Sequence, residues 1–366
     1  MSCLRVSKSE LRMRWDIFCQ IVDNYGDAGV CWRLARTLAM RHQQQVRLFC
    51  DDLPTLNLLA SDSPRTPQVE ILPWEASYEN VRHPLDPPDV VIEAFGCHLP
   101  ERYQTGLFIA SKKPIILNLE YLSAEPWVAE CHAKASPQSS GLLKYFFFPG
   151  FGPDTGGLSL DPIPVEGSQS SAAIPDSLAP SWALLRPEAE RISLFCYPGA
   201  PLRQWLEDLG NTQAKIDVLL TFGHAEMIGH SIGRPLDLPS SIQLISLPFV
   251  PQDDYDWLLS QCDFNIVRGE DSFVRAQLAE KPFIWHIYPQ DDMAHTVKLQ
   301  AFLDLYLEKA SPSTQESCRL AMDWQMPSRW WNQRAEWQAH ARQWRKTILE
   351  ANLDGGLAAR MLRFVI

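Results

Sequence analysis

A chain of 366 residues, at roughly 150 per domain, makes two compact domains the first expectation, each large enough to bury its own core. With 33 Lys and Arg against 44 Asp and Glu the formal charge is −11, which excludes a large sequence-independent nucleic-acid footprint, because that needs clustered positive charge. Hydrophobic residues at 46% and charged residues at 21% exclude a disordered or fibrous chain.

The first residues, MSCLRVSKSELRMRW, carry positive charge but no apolar signal-peptide core, and no later stretch reaches bilayer length; a cytoplasmic protein without membrane contact is expected. Strand-length apolar runs then alternate with helix-length periodic segments, the pattern of an α/β chain with mostly parallel sheets. The first series predicts strands at Trp15–Val22, Val46–Cys50, Val69–Leu72, Val90–Ala94 and Ile115–Leu119, with helices beginning near Gly29, Pro100 and Pro126. A Gly-, Pro- and Ser-rich tract from Phe146 to Glu188 reads as a long loop leading into an interdomain linker. The second series predicts strands at Ile192–Tyr197, Ile216–Thr221, Ile242–Leu247, Phe264–Val267 and Phe283–Ile287.

Beyond it, Trp330, Trp337 and Trp344 are seven apart with Ala341 and Ile348 on nearly the same face, which predicts one amphipathic helix burying an indole stripe. Asp354, Gly355 and Gly356 break it, and LAARMLRFVI forms a last short helix that packs wherever its apolar residues find cover. The expected division is an N-terminal Rossmann-like domain with linker over 1–180, a C-terminal one over 181–349 and a helical tail over 350–366. Nine scattered cysteines without a C-x-x-C pair suit reduced thiols rather than disulfides or a zinc knuckle.

Two strand-to-helix turns concentrate polar residues. WDIFCQIV runs into Asp23-Asn24-Tyr25-Gly26-Asp27-Ala28-Gly29 and then a helix, placing two acids at the carboxyl end of a parallel strand, where α/β proteins hold ligands. Gly26 and Gly29 give only G-x-x-G; neither a dinucleotide fingerprint nor a P-loop is present, and two acids would repel a pyrophosphate while suiting a cationic or proton-donating group. Asp27 as a plain helix cap, with Asp23 satisfying turn amides, is the competing reading.

In the second half, Phe264–Val267 leads into Arg268-Gly269-Glu270-Asp271-Ser272 at a helix start. Free N–H groups and the dipole there can hold a diphosphate without a metal, Arg268 adds a cation, and Glu270 can accept from sugar hydroxyls. Acids in a first helical turn are also ordinary dipole complements. A third stretch, Leu247 to Asp256, offers Phe249 and Tyr255 for stacking on a planar base and Gln252 for its edge, with core packing of Phe249 equally in view. Asp254-Tyr255-Asp256 spells a metal-binding D-x-D but reads as a helix start. His286, at a strand end, reads as a hydrogen-bonded structural histidine. The histidines show no tight metal-ligand spacing, so no metal is expected.

Three segments, Ile17–Arg36 (IFCQIVDNYGDAGVCWRLAR), Leu247–Asp256 (LPFVPQDDYD) and Val267–Asp291 (VRGEDSFVRAQLAEKPFIWHIYPQD), closely resemble the bacterial protein-arginine rhamnosyltransferases that modify elongation factor P. FPGFGPDTGG at Phe148–Gly157 and SLFCYP at Ser193–Pro198 are similar to further family segments. The resemblance implies a GT-B architecture of two Rossmann-like domains facing a central cleft. It also implies inverting transfer from dTDP-β-L-rhamnose to one arginine of elongation factor P, with no metal or other cofactor and no nucleic-acid partner. By position it implies Asp27 as general base with Asp23 beside it. Tyr197, Phe249, Gln252 and Tyr255 would then line the nucleoside site, and Arg268, Glu270, Asp271 and Ser272 would serve diphosphate and sugar. A nucleotide-sugar-binding protein without transferase activity, and a nicotinamide-dependent Rossmann enzyme with Asp51 and Asp52 after its second strand, are the alternatives.

Overall fold

The computed structural model describes residues 12–22, 25–60, 68–77, 87–138, 141–161, 173–212, 214–223, 238–290 and 293–366. The chain divides into two units, Met1–Pro162 with Ala351–Ile366, and Ile163–Glu350.

The first unit is built on strands β1 (Arg14–Cys19), β2 (Gln45–Cys50), β3 (Val69–Pro73), β4 (Val90–Ala94), β5 (Ile115–Leu119), β6 (Ala135–Pro137) and β7 (Leu143–Phe147), in the order β3-β2-β1-β4-β5-β7-β6. All neighbours are parallel except β6 and β7. Trp15, Ile17, Leu48 and Ile92 are fully buried, as expected of central strands covered on both faces. Phe18, Phe49 and Val91 pack on Tyr103 and Leu107 of the helix Glu101–Ile109, so Phe18→Ala would cost about 3 to 5 kcal/mol. Asp16 is tolerated inside β1 because its register partner on β2 is Arg47, whose Nε and Nη2 each lie 2.6 Å from the carboxylate. Tyr103 adds a third bond to the same carboxylate.

The second unit holds β8 (Glu190–Leu194), β9 (Ile216–Leu220), β10 (Ile242–Ser246), β11 (Phe264–Arg268) and β12 (Phe283–His286), all parallel, in the order β10-β9-β8-β11-β12. Both sheets reverse direction between their first strand and the strand after their third, at β1/β4 and β8/β11. Such switch points open a crevice at the strand carboxyl ends.

Three expectations differ from the structure. The tract from Phe146 does not start as a loop: Leu143–Phe147 is a strand, because its bulky residues pair with Ile115–Leu119 before Pro149 ends the run. Trp330 does not share a helix with Trp337 and Trp344. It closes the one-turn helix Pro327–Trp330, while the others lie on Arg334–Glu350, and the stripe is made by tertiary packing of Trp330, Trp331 and Trp337 around Phe264.

The third concerns residues 350–366, which are not a separate tail. The helix Gly356–Val365 belongs to the first unit, where Leu357 and Met361 are buried. There Phe364 meets Tyr145 and Phe147 edge-on at 5.0 and 6.0 Å. Asn352 accepts from the Leu158 amide at 3.0 Å, and Leu158 accepts from Leu357 at 3.0 Å. A Cβ at Gly356, which holds φ +65°, would run into the Leu158 carbonyl. Among the described residues no helix is long and apolar enough to cross a membrane.

Candidate functional site

In the first unit the helix Tyr25–His42 begins four residues before Gly29, which puts Asp27 inside its first turn. Asp27 is 3% exposed, and its Oδ2 accepts from the amide of Val22, in the turn leaving β1, at 2.9 Å. The carboxylate thus folds back onto the strand exit. Tyr121, just beyond β5, donates its hydroxyl to Asp27 Oδ1 at 3.4 Å. The Tyr121 ring stacks on Phe95, just beyond β4, at 4.6 Å and 21°. The ends of β1, β4 and β5 therefore converge on one carboxylate at the switch point. Glu120, beside Tyr121, accepts from Asn118, and burial raises its carboxyl above the usual range. Asp23 lies outside the described residues.

In the second unit the carboxyl ends of β8 and β11 face each other through Arg268, whose guanidinium carbon lies 4.4 Å from the Phe195 ring centre and 4.7 Å from that of Tyr197. Gly269 takes φ +65°, turning the chain into the helix Asp271–Leu278. Ser272 donates its hydroxyl to the Arg268 carbonyl, Glu270 pairs with Lys298 at 3.0 Å, and Gln252 donates to Asp271 Oδ2 at 2.8 Å. The two acids at the helix start, Glu270 at the N-cap and Asp271 in the first turn, are thus engaged by side chains of other elements, beyond any interaction with the helix dipole.

Tyr197 donates its amide to His286 Nδ1 at 3.1 Å. Burial, reinforced by Arg268, pushes the imidazole down to about 4, so it is neutral at pH 7, which agrees with a structural role. Tyr288 meets Tyr197 edge-on at 5.2 Å. Burial pushes the thiols at the two strand exits, Cys97 and Cys196, up to about 12, so neither is a nucleophile at neutral pH.

Of the residues singled out in sequence, Tyr197, Arg268, Glu270, Asp271, Ser272 and Gln252 gather at this one strand-end face. Phe249 meets Phe222 edge-on at 6.3 Å, after β10 and β9. Tyr255 sits deeper: its ring is 5.9 Å from Phe195 and packs against the cluster of Leu178, Leu219, Ile245 and Leu258. The D-x-D carboxylates go separate ways, Asp254 accepting from Ser177 at 2.6 Å and Asp256 pairing with Arg275 at 2.8 Å. Phe95, Tyr121, Phe195 and Lys298 were not singled out. Phe95 and Tyr121 lie one and two residues beyond β4 and β5, so reading the residues just past the expected strands would have found them; Phe195 falls inside the strand expected at Ile192–Tyr197, and Lys298 lies mid-helix and left no signal.

The chain matches, over residues 15–366, the family described as Elongation-Factor P (EF-P) rhamnosyltransferase EarP. A protein-arginine rhamnosyltransferase of Pseudomonas aeruginosa is 38% identical, covering 96% of this chain and 98% of its own. Another, of Pseudomonas putida, is 40% identical over 91% and 94%. A solved structure concerned with EarP-mediated arginine glycosylation of translation elongation factor EF-P matches with a TM-score of 0.62 at 29% identity, covering 96% of this chain and 98% of that one.

Proposed function

Because the chain belongs to the EarP family of EF-P rhamnosyltransferases, we propose that it moves rhamnose from dTDP-β-L-rhamnose to an arginine side chain of elongation factor P, with inversion and without a metal. That it is a protein-arginine rhamnosyltransferase, and so a glycosyltransferase of the GT-B class, follows from the family. The observation that best supports the finer reading is Asp27, a carboxylate held at a sheet switch point and suited to a cation rather than to a phosphate.

The donor's diphosphate is assigned to the second unit. The helix Asp271–Leu278 presents its first amides there, and the guanidinium of Arg268 is stiffened by two aromatic rings. The Glu270–Lys298 pair and the Gln252–Asp271 bond fix the polar rim that would meet sugar and nucleoside. Asp254 and Asp256, each engaged elsewhere, are not used as metal ligands in this reading.

In the transfer, an acceptor nitrogen forms a bond to the anomeric carbon as the carbon–oxygen bond to the diphosphate breaks on the opposite face, so a β-linked donor gives an α-linked product. Timing follows from acidity. A guanidinium holds its proton far more tightly than a carboxylate does, by about ten pH units, so prior deprotonation would cost roughly 13 kcal/mol, too steep for a separate step. Asp27 instead orients the guanidinium and takes the proton late, as positive charge builds on the bonded nitrogen, and Asp23, four residues earlier in the sequence, is assigned a supporting charge in this reading.

The test is Asp27→Asn assayed with dTDP-rhamnose and folded elongation factor P, read as a mass shift on the acceptor, with EDTA present and absent. The variant is expected to lose nearly all turnover while dTDP binding survives, and the unaltered enzyme is expected to work in EDTA. Near-normal turnover by Asp27→Asn would leave the aspartate a structural role only, and loss in EDTA with rescue by magnesium would end the metal-free reading. No transfer from either protein would favour a binding protein without chemistry.

A further inference from the structure

Phe95 is a bulky aromatic residue at φ +57°, followed by Gly96 at φ +73°. For such a side chain the left-handed region is a genuine outlier, and strain of this kind persists where the surroundings over-determine it. Two contacts do so here. The Phe95 amide donates to the Leu119 carbonyl at 2.8 Å, tying the exit of β4 to the end of β5, and the Phe95 ring lies flat against Tyr121. Phe95 itself is only 9% exposed, whereas Tyr121 remains 38% exposed with its hydroxyl edge toward Asp27 Oδ1. The strained turn thus holds a tyrosine with a covered face and a solvent-accessible surface, edge-on to the candidate base.

Resting on the reading of Asp27 as the residue that receives the acceptor arginine, we propose that Tyr121 is the residue that positions and selects it. The planar guanidinium stacks on the accessible surface of Tyr121 and donates from its rim to Asp27. A delocalised planar cation gains from both surfaces at once, whereas a compact, strongly hydrated ammonium cannot lie flat on a ring in the same way. The pair selects arginine over lysine and sets the angle at which one nitrogen is presented. The hydroxyl keeps Asp27 Oδ1 in place, a lesser contribution given its 3.4 Å length.

The experiment uses the full chain and folded elongation factor P. Binding of the acceptor, and of an acceptor whose modified arginine is changed to lysine, is measured calorimetrically for the unaltered enzyme, Tyr121→Phe and Tyr121→Leu. The unaltered enzyme and Tyr121→Phe should prefer the arginine acceptor at least fivefold, and Tyr121→Leu should erase the preference. In turnover, Tyr121→Leu should raise the acceptor KM about tenfold. Tyr121→Phe should leave KM within twofold and lower kcat about threefold. Affinity for dTDP, unchanged within twofold in all three, shows that folding is intact. An arginine preference retained by Tyr121→Leu, or the same KM for the Phe and Leu variants, overturns the proposal. The preference is read without turnover, so it stands or falls separately from the Asp27→Asn result.

Discussion

Gln252 Nε2 donates to Asp271 Oδ2 at 2.8 Å, joining the first residue of the helix after β10 to the first residue of the helix after β11. Gln252 is 4% exposed, so this bond is made out of water and cannot be replaced cheaply. In the proposed donor site it fixes the carboxylate that borders the diphosphate amides. Gln252→Ala should weaken dTDP binding by about 1.5 kcal/mol, roughly tenfold in Kd by calorimetry. An unchanged Kd would take this bond out of the donor site.

The second unit should bind nucleotide alone, and where it is cut decides whether it folds. Leu178 is fully buried among Leu219, Ile245, Leu247, Leu258 and Cys262. A fragment of residues 173–350 is expected to melt cooperatively and to bind dTDP, whereas one begun at residue 181 loses Leu178 and should be less stable by about 2 to 5 kcal/mol. Nucleotide binding confined to the complete chain would contradict the assignment of the donor to this unit.

The C-terminal helix should behave as part of the first unit. Asn352→Ala leaves the buried Leu158 amide without its carbonyl acceptor, a loss of about 1 to 3 kcal/mol. Calorimetric unfolding should show the first unit melting several degrees lower while dTDP affinity stays constant. A shift confined to the nucleotide-binding transition would be the opposite result.

Acid should destabilise both units through a matched pair of histidines. His132 accepts from the Phe148 amide at 3.1 Å on Nδ1, as His286 does from Tyr197. Burial, reinforced by Arg360 and Arg268 respectively, pushes each down to about 4 from 6.5. Between those values the unfolded chain binds the extra proton. The stabilisation is therefore complete above pH 6.5 and is lost as pH falls toward 4, about 3 kcal/mol per histidine before screening and on the order of 2 once solvent reaching the half-buried rings is allowed for. Replacing both by Asn should flatten the dependence of Tm on pH between 6.5 and 4; a slope that stays the same would assign it to other groups.

The α/β class and ten of the strands were legible from largely apolar runs, because strands covered on both faces are mostly apolar, with a polar residue such as Asp16 or Asp217 tolerated where an arginine pairs with it. The two polar strand ends were legible because an acid, a glycine and a helix start coincide there in so few residues. Family membership, too, was written in long ordered segments rather than in any single motif. What sequence did not decide was who meets whom. Nothing in NLEYLS or EAFGC predicts that Tyr121 and Phe95 stack beside Asp27, since β4 and β5 become neighbours of β1 only through the order of the sheet. Lys298 reaches Glu270 from a helix 28 residues away, and LAARMLRFVI could have covered either unit. Those pairings rest on packing between distant segments, which local propensity does not encode. The sequence determined the elements and the chemistry available at their ends; the tertiary structure decided which ends share one site.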